Sequence, residues 1–303
     1  MGNNNDSRYG SFRDPVKILY SAEVFKDFIS QAQVTQHDEI QALLFNPTHD
    51  FQVEGEHLAL VSDLPDRVNL EALRDMDNVN LLLPIRADRA AEDINDRVGK
   101  LSVNEESYII SNHVETEETT RIKLLHSRDR WKHIENMGEY LQKKEVFAEF
   151  PDICMTVASE LLTNAFYNAP QDKFGRTLEP DRTRDVMVGP NPVQFSYGDD
   201  GNHIWLKVSD PFGTFNRYSL LNHLIKMVAK DTIEVNLGKG GAGIGIFMVF
   251  RWASQLLFLF EPGQETTVMV KLLKTKRRKT FESQRTILEV IQRHPEKISR
   301  LAS

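Results

Sequence analysis

The stretch LGKGGAGIGIFMVF (237–250) carries glycines at 238, 240, 241, 243 and 245 and runs into an apolar, helix-compatible segment. Glycine lets the backbone approach a phosphate closely, and a helix that starts just after it aims free N–H groups at an anion. Two registers compete. Gly238, Gly240 and Gly243 fit G-x-G-x-x-G, with the strand-like TIEVNL (232–237) before them and Glu261 18 residues after Gly243. That is the outline of a dinucleotide-binding turn with its ribose acid. Such a turn opens a sheet of several βαβ units, however. Only 42 residues follow Glu261, and they read as a hairpin and a charged tail. The dinucleotide-binding enzyme is therefore the minor alternative.

The other register, Gly241-x-Gly243-x-Gly245, gains meaning from two segments upstream. SELLTNAFYN (159–168) spaces Glu160, Asn164 and Asn168 four apart, which lines them along one helical face. Leu161, Leu162, Ala165 and Phe166 are left to pack on the other side. SDPFG (209–213) then puts Asp210 at the end of a strand, close to Gly213. Each piece has a plainer explanation: a core helix with a solvated stripe, and an acid in a surface turn. The ordered triple is what needs a common cause.

The rest of the chain is compatible with a globular protein of two domains. Its 303 residues are 40% hydrophobic and 27% charged, with a formal net charge of −7. That balance argues against direct nucleic-acid binding, which needs a positive footprint. The single cysteine, Cys154, sits in the apolar run ICMTVA and reads as a buried small hydrophobe. No apolar run is long enough for a membrane span, and the polar start lacks a signal-type segment, so a cytoplasmic location with no membrane contact is expected.

After a polar leader (1–15), the strand-like runs VKILYSA (16–22), EIQALLF (39–45), HLALVSD (57–63), VNLLLPI (79–85) and SYIISNHV (107–114) alternate with amphipathic pieces such as EVFKDFISQAQ (23–33) and NLEALRDM (69–76). The alternation predicts an α/β N-terminal domain over 16–115 with a parallel sheet. The acidic VETEETT (114–120) reads as the border. Beyond it come a strand (TTRIKLLHS, 119–127), two helices (128–144 and 151–169) and two hairpins (193–210 and 255–273). Helices grouped with antiparallel hairpins predict an α+β sandwich over 117–275. Residues 276–303, opening on the basic cluster KRRK, are expected to form a helical tail.

Glu160-x-x-x-Asn164, Asp210 with its nearby glycine, and GGAGIGIFMV, in this order, resemble the N, G1 and G2 boxes of the GHKL superfamily of histidine kinase-like (Bergerat-type) ATPases. The resemblance spans about 117–275. It implies a layer of helices on a mixed sheet that binds ATP and Mg²⁺. By resemblance, Glu160 is the general base and Asn164 the Mg²⁺ ligand, with Asn168 beside it. Asp210 would accept from the adenine amino group near Gly213, and Thr266 would add a contact there. Gly241, Gly243 and Gly245 would carry the phosphates, with Lys239 reaching them from a lid over 214–240. Two departures stand out. Phe212 occupies the place of the first G1 glycine, and 171–192 inserts an exposed, turn-rich loop.

Within the superfamily, His126 and His133 precede Glu160 by only 34 and 27 residues, too few for the helical hairpin that carries a phosphoacceptor histidine. Both read as ordinary surface or half-buried side chains. The compact plan is most similar to the anti-sigma-factor serine/threonine kinases. That similarity implies signal transduction, with a sigma factor or an antagonist protein as partner and a homodimer as a further expectation. The competing reading is a non-catalytic module in which ATP gates partner binding. The N-terminal domain resembles a degenerate response-regulator receiver. Asp63 stands at the end of its third strand, but Tyr20, Ser21, Ala22 and Glu23 replace the acidic pair such a domain needs.

Overall fold

The computed structural model describes residues 16–20, 40–44, 58–62, 66–75, 79–84, 119–229 and 244–292. Its framework is one mixed sheet. Four strands come from the first part of the chain: β1 (Val16–Tyr20), β2 (Ile40–Leu44), β3 (Leu58–Ser62) and β4 (Val79–Pro84). Six come from the second: β5 (Thr120–Leu124), β6 (Val193–Asp199), β7 (His203–Asp210), β8 (Gln255–Glu261), β9 (Glu265–Leu273) and β10 (Ile287–Gln292). They lie in the order β2-β1-β3-β4-β10-β8-β9-β7-β6-β5. The first four are mutually parallel, as the alternating pattern led one to expect. From β8 to β5 every pair is antiparallel, and both expected hairpins form.

Helices cover one face of the second half of the sheet. In α2 (Arg130–Gln142), Ile134, Met137 and Leu141 point inward; in α3 (Phe150–Thr163), Cys154, Val157, Ala158, Leu161 and Leu162 do the same. These are the spacings of a single apolar stripe, with Pro151 and Asp152 in the first turn of α3 favouring a helix start there. The stripes bury against Phe195, Ile204, Leu206, Val208, Leu256, Phe258 and Val270 of the strands, alternate residues that share one face of the sheet. Cys154 is fully buried, and that burial pushes its thiol pKa well up, consistent with a packing role.

Two further helices, α4 (Arg217–Ala229) and α5 (Ile244–Trp252), complete this layer. Helix α1 (Asp66–Asp75) lies between β3 and β4 and adds Leu70 and Leu73 to the same core. Sheet and core are thus continuous between the two parts of the chain. Residues 114–118 of the acidic border (114–120) and the expected strand at 107–114 lie outside the described residues, and Thr120 already belongs to β5.

The end of the chain corrects the expected helical tail. The basic cluster leads into only a short helix, α6 (Arg278–Glu282), and 287–292 is a strand. Here β10 pairs in parallel with β8 and antiparallel with β4, so it joins the two halves of the sheet. A charged segment opening on KRRK suggests a solvated helix. Yet Ile287, Leu288, Glu289, Val290 and Ile291 are all buried, and a β-branched run buried on both faces fits an interior strand better than a one-faced helix. The buried Glu289 carboxylate accepts a bond from Gln255 Nε2 at 2.6 Å.

Candidate functional site

The apolar side of α3 fixes where its polar residues go. Because Leu161, Leu162, Ala165 and Phe166 bury into the core, Glu160 and Asn164 are left on the half-buried flank. At Asn164 the helix widens into a π-turn (Asn164–Asn168), closed by the Ala169 N–H donating to the Asn164 carbonyl at 2.8 Å. Single π-turns of this kind are frequent at functional sites. The three polar side chains form a relay: Asn168 Nδ2 donates to Asn164 Oδ1 at 2.5 Å, and Asn164 Nδ2 donates to Glu160 Oε1 at 3.1 Å.

Gly245 brings the glycine-rich segment to this relay. Helix α5 begins at Ile244 and packs on α3, and a Cβ placed on Gly245 would overlap the Glu160 carboxyl group. Two stretches 85 residues apart in sequence are therefore in direct contact, and a larger residue at 245 would have to displace the Glu160 carboxyl. Lys239, Gly241 and Gly243 lie outside the described residues.

The second centre sits at the end of β7. Asp210 is 7% exposed and accepts from the Phe212 N–H at 3.0 Å. Burial, reinforced by the charge of Glu265, pushes its pKa up to about 7, against the opposing pull of the Phe212 and Gly213 N–H groups. Directly across the β7–β9 pair stands Thr266. Its Oγ1 is buried and has no hydrogen-bond partner, whereas the next pair, Ser209 and Thr267, satisfy each other at 2.6 Å. A buried hydroxyl left orphaned beside a buried carboxyl is costly unless something else meets it.

Gly213 explains how the chain tolerates Phe212 in the preceding position. With φ +58, Gly213 supplies the left-handed turn after β7, and its carbonyl accepts from the Gly263 N–H of the β8–β9 turn at 3.0 Å. Phe212 is half-buried and packs against the main core. Thr214 Oγ1 then donates to the Ala169 carbonyl at 2.7 Å, tying the turn segment after Asp210 back to the end of the π-turn. The two centres are thus parts of one assembly.

A third cluster was not anticipated from the sequence. Tyr167, on the buried side of the π-turn, donates its hydroxyl to the Arg184 carbonyl at 2.7 Å, accepts from Arg130 Nη1 at 3.2 Å and lies 2.9 Å from Ser127 Oγ. Ser127 in turn donates to Asp185 Oδ1 at 3.2 Å, and His126 Nδ1 lies 3.1 Å from the other carboxylate oxygen. His126 is thus a half-buried partner of the inserted segment 171–192, which is mostly exposed as expected. The available signal was the tyrosine itself, since a phenol on an apolar helix face needs a partner. Tyr167→Phe is expected to lower unfolding free energy by about 1–3 kcal/mol, because it strands several buried partners. Urea denaturation of the two proteins measures it, and an unchanged midpoint would show that the phenol does not anchor the segment.

No family model matches the chain, and no curated protein matches it either. Among the described residues no helix is long and apolar enough to cross a membrane.

Proposed function

We propose that the assembly of Glu160, Asn164, Gly245, Asp210 and Thr266 binds ATP with Mg²⁺, and that the chain is a regulatory protein acting as an anti-sigma-type serine/threonine kinase. The observation that carries the reading is the meeting of Gly245 with Glu160, beside a buried carboxyl–hydroxyl pair whose hydroxyl has no partner. These groups suit an adenine nucleotide. Asp210, when ionised, would accept from an exocyclic amino group, and the orphaned Thr266 hydroxyl would complete the recognition of the ring edge. Asn164 offers the hard carbonyl oxygen that Mg²⁺ prefers. Among the described residues no three His, Cys, Asp or Glu side chains gather as a metal cage, so phosphate oxygens would complete the coordination.

Bound Mg-ATP would supply a phosphoryl group activated for transfer. The chain's own part is to orient the attacking hydroxyl of a partner serine or threonine and to take its proton on the Glu160 carboxylate. A sigma factor or its antagonist is the proposed class of partner. The β8–β9 hairpin supports this reading over the dinucleotide one, because the strand that ends in Glu261 turns straight back and does not enter a βαβ crossover.

One observation favours a second reading, a non-catalytic ATP-gated interaction module. Asn164 Oδ1 and Glu160 Oε1 are both engaged within the relay, so metal ligand and base are tied to each other. Thermal unfolding with Mg-ATP, Mg-GTP and NAD tests nucleotide choice. Mg-ATP at about 100 times its Kd should add about 2.7 kcal/mol, with no effect of NAD. Stabilisation by NAD alone would overturn the proposal. Labelled ATP with candidate partners then separates the two readings: Glu160→Ala should abolish transfer while keeping ATP binding, and no transfer by the wild type favours the module.

A further inference from the structure

Helix α1 is held at both ends by residues that belong to the nucleotide side of the molecule. At its start, Asp66 Oδ1 accepts from Arg285 Nη2 at 2.7 Å, and Asp66 Oδ2 lies 3.9 Å from Nη1 of Arg251 on α5. At its end, the Leu73 carbonyl, one of the last four that a helix cannot satisfy itself, accepts from Nη2 of Arg217 on α4 at 2.6 Å. Arg74 Nη1 donates to Asn222 Oδ1, also on α4, at 3.2 Å. Between these ends α1 packs along α4, and Leu70, Leu73, Leu221 and Leu224 are all fully buried.

The path from α4 to the site is short and made of defined contacts. Asn216 Oδ1 caps α4 by accepting from the Ser219 N–H at 2.8 Å. Phe215 stacks on Phe258 with ring centroids 5.0 Å apart, Thr214 holds the Ala169 carbonyl, and Gly213 and Phe212 adjoin Asp210. Any shift of α4 therefore pulls on both halves of the assembly. Packed elements of this kind transmit strain because they cannot deform continuously.

We propose that α1 is a clamp on α4, through which the N-terminal strands set the affinity of the site for nucleotide. This rests on the reading of the site as an ATP site. With α1 in place, α4 is held docked before nucleotide arrives, so binding has less ordering to accomplish. Whatever moves α1 relative to β3 and β4 would loosen α4 and weaken binding. Linkage requires the converse: nucleotide must tighten α1.

The test is a double-mutant cycle of Arg74→Ala and Asn222→Ala on the full chain. Mg-ATP binding is read by calorimetry, and hydrogen exchange of 66–75 and 217–229 is followed with and without Mg-ATP. Each single change should weaken Mg-ATP by about fivefold, and the double should be little worse than either alone. In the wild type, Mg-ATP should slow exchange in 66–75; without nucleotide, both variants should exchange faster in 217–229. A wild type that binds Mg-ATP, with variants of equal or greater affinity and unaltered exchange in 66–75, overturns the clamp. A wild type that binds no Mg-ATP overturns the nucleotide reading. The exchange of 217–229 in the variants then still decides whether α1 holds α4 at all.

Discussion

Alanine at position 213 is expected to destabilise the protein by about 2–5 kcal/mol, the sum of a left-handed backbone penalty and an overpacking term. On a chain of this size that lowers the melting temperature by about 3–8 °C. Gly213 has φ +58, a region where a side chain is strained wherever it points. The space is also taken. An added Cβ would run into the Glu261 carbonyl oxygen and come within 2.7 Å of the Gly263 nitrogen. Both obstacles are backbone, so no rotamer change relieves the clash. Relief would require the β8–β9 turn to move away, breaking the Gly263–Gly213 hydrogen bond. Differential scanning calorimetry of Gly213→Ala measures the effect, and a melting temperature within a degree of the wild type would refute the turn geometry. Because Gly213 adjoins Asp210, the same variant should also bind Mg-ATP more weakly.

The second large effect is a reversal of pH dependence at Asp210. Its carboxyl titrates at about 7 in the folded protein against an ordinary 3.8. The folded chain therefore holds a proton that the unfolded chain has already lost across this window. Stability from this group is fully present below 3.8, falls as the pH rises and is gone above 7. The gap corresponds to an upper value of about 4 kcal/mol. Asp210→Asn keeps an oxygen for the Phe212 N–H but has no proton to lose. The variant is thus expected to match the wild type only below pH 3.8, to exceed it by about 1.6 kcal/mol at pH 5 and by up to about 4 kcal/mol at pH 8. Guanidinium unfolding at pH 5 and pH 8 measures this. Parallel pH slopes for the two proteins would show that the carboxyl is not buried as described.

On the proposed reading, nucleotide binding should move the other way. An adenine amino group donates, so the ionised Asp210 is the better acceptor, and Mg-ATP affinity of the wild type should rise between pH 6 and 8. Asp210→Asn should bind Mg-ATP at least tenfold more weakly while being the more stable protein at pH 8. That opposition would mark Asp210, on the proposed reading, as a buried carboxyl kept for recognition at the expense of stability.

Much of the fold was legible because local pattern and tertiary environment agree. The four parallel strands were readable as short β-rich runs, and the two hairpins as alternating segments around Asp199–Asn202 and Pro262–Gly263. Helix α3 was readable because a helix with one buried flank must leave Glu160 and Asn164 together on the other. Glu160 and Asn164 stood out by their spacing along one helical face and Asp210 by its place at a strand end, whereas Thr266 was named only through the family resemblance. The strand β10 was not. ILEVIQ is apolar enough for either period, and its neighbouring charges favoured a helix until the open place between β4 and β8 was known. The Tyr167 cluster was also hidden, since its partners Ser127, Arg130 and Arg184 are spread over 58 residues of sequence.

From the sequence alone followed the parallel strands, the two hairpins and the helix carrying Glu160 and Asn164 with its apolar flank. All of these depend on periodicity and side-chain chemistry within about ten residues. Only the tertiary structure could place Gly245 against Glu160, set an unpartnered Thr266 beside a carboxyl with pKa about 7, and lay α1 along α4. Those are contacts between segments tens to hundreds of residues apart. They arise from burying one continuous core, and no local pattern records which distant residue will fill the facing space.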